Sequence, residues 1–174
     1  MPHDYGDKFF EEPCGNSTRL VIGPSKGQVN LLIELSTDWL GHPWYLLYLL
    51  LVPRVSKREP ARYQAEAFQS KHELDNFLRS FQNFFECDGR HSIWIASGAN
   101  DGQLVYDQHN VIYAYGPVDR YRLALLEKGF CEEEFDFPAP HFHGYREEFD
   151  ADEDRLLSAG EWTTSPLQPG DDLQ

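Results

Sequence analysis

The nine apolar residues WYLLYLLLV, positions 44–52, narrow the possible folds more than any other feature of the chain. A membrane-spanning helix needs about twenty such residues, so the run belongs to a core and no membrane partner is expected. It does not alternate apolar with polar, as a half-solvated strand would. Gly41-His42-Pro43 and Pro53 punctuate its two ends. A short apolar run bounded in this way reads as a central β-strand buried on both faces. The rest of the chain must supply what covers it.

Upstream, RLVIG (19–23) and VNLLIEL (29–35) are two β-rich runs separated by the turn PSKGQ, which predicts a hairpin after a polar N-terminal arm. A weaker strand is expected around Tyr63, beyond a basic loop from Pro53 to Arg62. Ser70 and Glu73 have capping-box spacing, and Leu74, Phe77, Leu78, Phe81, Phe84 and Phe85 recur at helical period, predicting a packed helix. SIWIAS, QLVYD and NVIYAYG follow as strands, with ANDG and DQHN as turns. Pro117 opens a second helix and Gly129 closes it. FCEEEFDF reads as a charged edge strand. The order β-β-β-α-β-β-β-α-β predicts an α+β fold, a mostly antiparallel sheet with two main helices on one face. The domain is expected over residues 1–138, followed by an acidic C-terminal segment, 139–174, with a disordered tail.

Charge separates those two parts. Residues 130–174 hold 13 acids and 2 bases, out of a whole-chain net charge of −14. Such a segment repels phosphate backbones, so nucleic-acid binding is not expected, whereas a basic protein partner or a cation is. The opening MPHDYGDKFFEEP has neither a basic nor an apolar targeting region, and Cys14, Cys87 and Cys131 form no CxxC pair. Both features point to a reducing, cytoplasmic setting.

Catalytic signatures are sparse. GPSKG lacks the spacing of a phosphate-binding loop, and neither GxGxxG nor GxSxG occurs. Nothing near Cys87 and His91 marks an activated thiol. Asp107, His109 and Asn110 sit at a hairpin turn with no nucleophile at a recognisable spacing. His141 and His143, two apart in PHFHGY, would share one side of a strand and could bind a transition metal with nearby carboxylates. That pair keeps a metalloenzyme open as an alternative to a non-enzymatic protein.

FDADEDRLLSAGEW, 149–162, carries the one recognisable constellation. Counting Asp150 as the first of twelve residues, Asp152 is third, Asp154 fifth, Leu156 seventh, Ser158 ninth and Glu161 twelfth. A calcium ion takes six to eight oxygens, and side chains at these places, with the seventh carbonyl, supply them. The stretch resembles an EF-hand calcium loop, with Arg155 where that family has glycine. The resemblance implies a single, weak Ca²⁺ site formed by Asp150, Asp152, Asp154, Ser158 and Glu161 through side chains and Leu156 through its backbone. The same residues also fit an ordinary helix: Asp150 as N-cap with Glu153 three residues on, acids complementing the dipole, Leu156 and Leu157 inward, Gly160 at the end. A further alternative is a metal-free acidic interaction module, such as an immunity-type inhibitor of a basic protein.

Overall fold

The computed structural model describes residues 4–37, 39, 41–53, 58–137 and 146–171. In chain order its elements are β1 (Lys8–Cys14), β2 (Ser17–Gly23), α1 (Gln28–Leu35), β3 (Trp44–Leu50), β4 (Ala61–Ala65), α2 (Lys71–Ser80), α3 (Gln82–Cys87), β5 (His91–Ser97), β6 (Gln103–Tyr106), β7 (Ile112–Tyr115), α4 (Val118–Glu127), β8 (Cys131–Glu132), α5 (Asp150–Ser158) and β9 (Trp162–Pro166). A 3₁₀ turn, Glu147–Phe149, runs directly into α5. The strands form one sheet in the order β8-β1-β2-β7-β6-β5-β3-β4-β9. All its described pairings are antiparallel except that of β1 with β8. The fold is α+β with a mostly antiparallel sheet.

The apolar run forms β3, between β4 and β5. Leu46, Tyr48 and Leu50 enter the main core, and Leu49 on the opposite side is also fully buried. Tyr45 is 38% exposed, so only part of the run is covered on both faces. The main core collects residues from all five helices against one face of the sheet. On the other face Val21, Val105 and Tyr113 form a smaller cluster with Tyr5 and Phe135. The Tyr5 and Phe135 rings lie 4.8 Å apart, and the Tyr5 hydroxyl donates to the His109 carbonyl at 2.9 Å.

Some elements match their sequence signals closely. At the start of α2, Ser70 Oγ accepts from the Glu73 N–H at 3.2 Å and Glu73 Oε2 accepts from the Ser70 N–H at 3.3 Å, completing the capping box. The DQHN turn is held by Asp107, whose Oδ1 accepts from the N–H groups of His109 and Val111 at 2.9 Å each.

Other elements differ from expectation. VNLLIEL lies in α1 and not in a strand, and the hairpin is made by β1 and β2. Val29, Leu31, Leu32, Ile33 and Leu35 are all buried. A helix apolar around most of its circumference loses the one-sided periodicity that marks amphipathic helices, so its β-branched and leucine content mimics a strand. The N-terminal arm becomes β1 because Phe9 reaches the core and the strand pairs along all of β2. Five α-helices replace the two expected among the described residues, α3 being separated from α2 by a break at Phe81. The described part of the acidic segment is not an appendage: α5 contributes Leu156 to the main core and β9 completes the sheet beside β4.

If α1 is a core helix, Leu32→Ala should lower stability by about 2–5 kcal/mol in denaturant unfolding. Leu123→Ala on α4, where the native side chain is 62% exposed, should cost less than about 0.5 kcal/mol. Equal effects would contradict the assigned burial.

Candidate functional site

The acidic stretch folds as a helix because three side chains at helical spacing, Phe149, Glu153 and Leu156, face inward and are buried. Asp150, Asp152 and Glu153 fall in its first turn, where the helix dipole favours negative charge, and Arg155 falls in its last. No side chain caps the helix; the preceding 3₁₀ turn feeds it instead, so Asp150 is its first residue and not its N-cap.

Glu153 is the unusual member, a carboxylate only 4% exposed. A buried charge demands a counter-charge. Arg58 supplies one: its Nη1 lies 3.5 Å from Glu153 Oε1 and also hydrogen-bonds Asp154 Oδ1. The hydrogen bond to Asp154 is the largest influence holding the Arg58 pKa above its ordinary value. Tyr63 on β4 belongs to the same group; burial raises its hydroxyl pKa, Arg58 opposes that, and Glu153 adds to it. The acidic helix is thus tied to the segment entering β4.

This geometry distributes the six expected calcium ligands instead of gathering them. Successive helical residues turn by about 100°, so Asp152 points away from both Asp150 and Asp154. Asp152 pairs with Arg155 at 2.8 Å and Asp154 with Arg58. Leu156 is fully buried and its carbonyl accepts the Ala159 N–H at 3.1 Å. Ser158 and Glu161 are exposed beyond the helix's ion pairs. Gathering these oxygens around one ion would require unwinding α5. Among the described residues no three His, Cys, Asp or Glu side chains are grouped so as to hold a metal ion. His141 and His143 lie outside the described residues.

What the turn after α5 and the start of β9 do build, with the end of β4 and with α2, is a cleft of about 270 Å³, lined among others by Phe68, Phe77 and Trp162 and by Glu66, Glu73 and Glu161. The Phe77 ring stands 5.6 Å from Phe68 and 6.1 Å from Trp162. Glu66 and Glu161 come together because the Glu66 N–H donates to the Glu161 carbonyl at 3.2 Å, one step beyond the Ala65–Trp162 register pair. Only that cross-strand pairing links them, so no local sequence signal announces the cleft. The far end of β9 is anchored by Asp171, which receives Arg62 Nε at 2.8 Å and Nη2 at 2.5 Å, and the Gln168 N–H at 2.7 Å. Arg62 is the main cause holding the Asp171 carboxyl below the ordinary aspartate range.

No helix of the described residues is long and apolar enough to cross a membrane. No protein-family model, no curated protein and no solved structure matches the chain.

The Arg58–Glu153 pair gives a direct test of the helix assignment. Arg58→Met should destabilise the protein by about 1.5–3 kcal/mol, because the buried Glu153 loses its Arg58 contact. Adding Glu153→Leu in the same chain should recover most of that loss. A single-variant cost near zero in equilibrium unfolding, with no coupling in the double-mutant cycle, would contradict the contact.

Proposed function

We propose that this protein is a non-enzymatic, metal-free interaction module that binds a basic protein partner. The observation carrying the reading is how the chain spends its cations. Among the described residues Lys8, Arg19, Arg58, Arg62, Lys71, Arg122, Lys128, Arg146 and Arg155 all lie within 4.0 Å of carboxylates of the same chain. Arg122 alone contacts Glu11, Asp119 and Glu132. With so much positive charge neutralised internally, the excess carried by a net charge of −14 is left on exposed carboxylates. Glu66, Glu134, Asp136 and Glu161 are exposed and take part in none of these pairs.

Such a surface accelerates encounter with a positively charged protein and rejects acidic ones. Aromatic side chains beside the carboxylates supply the apolar contact that charge alone does not. A cytoplasmic setting accords with Cys14, Cys87 and Cys131 being free thiols. The calcium reading is not adopted, since it needs α5 in a different conformation.

A lysine-rich polypeptide should bind the full chain in calorimetry or fluorescence anisotropy, and a glutamate-rich one of equal length should not. Affinity should fall roughly tenfold between about 50 and 300 mM salt. Glu66→Lys combined with Glu161→Lys should weaken binding more than Glu127→Lys with Glu34→Lys. Salt-independent binding, or binding indifferent to all four positions, would contradict the reading.

A further inference from the structure

We propose that β9 is the docking edge for an extended basic segment of a partner protein, which joins the sheet as an added strand and lodges one lysine or arginine side chain against Phe77 and Trp162. This rests on the preceding reading and names where and how the partner binds.

The first argument is that, among the described residues, β9 is a sheet edge with no strand beyond it and little of the usual protection. It ends the sheet on one side. Its residues, Trp162-Thr163-Thr164-Ser165-Pro166, carry no charge, and the last four are exposed. Natural sheets blunt their edges with charge, proline, bulges, brevity or a covering element. The opposite edge shows two of these devices: β8 is two residues long and its Glu132 is paired with Arg122. β9 is five residues long with no charge; Trp162, Thr163 and Thr164 favour strands, and Pro166 blunts only its last position.

The second argument is the phase of the backbone. In an antiparallel ladder alternate residues direct both N–H and C=O to the same neighbour. The Glu66 N–H bond to the Glu161 carbonyl sets that phase: Glu161, Thr163 and Ser165 turn toward β4. Trp162 and Thr164 therefore direct an N–H and a C=O away from the sheet, and Pro166 a carbonyl. Proline at the last position costs nothing, because its missing N–H lies on the outer side. These groups form a template for strand addition, in which main-chain bonds supply affinity and alternate side chains supply specificity.

The third argument chooses the occupant. Trp162 pairs with Ala65, and both pack against the main core, so a residue of the added strand beside Trp162 would sit over the cleft that Phe68, Phe77 and Trp162 share with Glu66, Glu73 and Glu161. An alkyl stem ending in a cation matches this lining, the rings taking the stem and the surrounding glutamates attracting the charge. A second copy of the chain would bring its own Glu66 and Glu161 to the same place, on a molecule of net charge −14, so like charges oppose that pairing.

The test uses the full chain and three synthetic peptides of equal length: one alternating threonine with lysine, the same peptide N-methylated at every second residue, and one alternating threonine with glutamate. The Thr/Lys peptide should bind and slow exchange of the Trp162 and Thr164 amides, while the N-methylated peptide should bind at least tenfold more weakly. Thr164→Pro, whose lost N–H points outward, should leave the melting temperature nearly unchanged and weaken the Thr/Lys peptide at least tenfold; Thr163→Pro should instead destabilise the fold. Glu66→Lys with Glu161→Lys should abolish binding without touching the backbone edge, which keeps the test valid should Thr164→Pro misfold. If both lysine peptides bind equally and the Trp162 and Thr164 amides do not respond, the edge proposal is overturned while the basic-partner reading stands. If neither binds at low salt, both are overturned. Self-association that Thr164→Pro abolishes would replace the basic segment with a second copy and overturn the proposal.

Discussion

A carboxylate on the core-facing side of a helix otherwise rich in exposed acids is the constraint on which the C-terminal third of this fold depends. Glu153 stands in line with Phe149 and Leu156, so seating those apolar groups buries it as well. Arg58, from the segment entering β4, brings a cation to within 3.5 Å of that charge. Once α5 is fixed beside β4, the chain after Gly160 is delivered to the outer side of that strand, and β9 forms along it. The Arg62–Asp171 pair then closes the far end. A partly exposed arginine against a buried carboxylate contributes little net energy once desolvation is counted, and what it does here is tie α5 to the segment entering β4.

Much of this architecture was legible in the sequence, and the exceptions have physical reasons. The central strand, the capping box at Ser70 and the Asp107 turn depend on contacts within a few residues, which local chemistry encodes. α1 was hidden because burial on nearly every side removes the helical period, and β1 because only Phe9 of its seven residues is fully buried. The acidic stretch was legible as two incompatible things. Its oxygen-bearing positions match a calcium loop, and its Phe149, Glu153 and Leu156 match an inward helix face. The apolar period prevails in the folded chain because it buries two large side chains, whereas the loop arrangement would withdraw Leu156 from the core and separate Asp152 and Asp154 from their arginines. The aromatic cleft had no local signature at all, since its two sides come from residues 65–77 and 159–162.

Charge and edge chemistry meet at that cleft. Internal pairing takes up most of the described cations across the sheet and its flanks, so the acid excess is expressed at the surface. At β9 the excess lies beside aromatic rings and a strand edge with no neighbour among the described residues, a combination in which, on the proposed reading, electrostatics would govern encounter, main-chain bonds register and ring contact retention of the partner. Elsewhere the acids are dispersed among ion pairs, as at Arg122, or lie next to a two-residue strand that offers little ladder to extend.

Amide hydrogen exchange across α5 and β9, recorded without calcium and again at millimolar calcium, addresses most directly whether the acidic segment is part of the fold. The helix and edge-strand arrangement predicts protection at Arg155, Leu156 and Leu157 and at the β4-facing Thr163 and Ser165, with faster exchange at Thr164 and no change on adding the ion. Rapid exchange throughout 150–161 that becomes protected only when calcium is present would contradict it, and would return the stretch to a metal-binding loop.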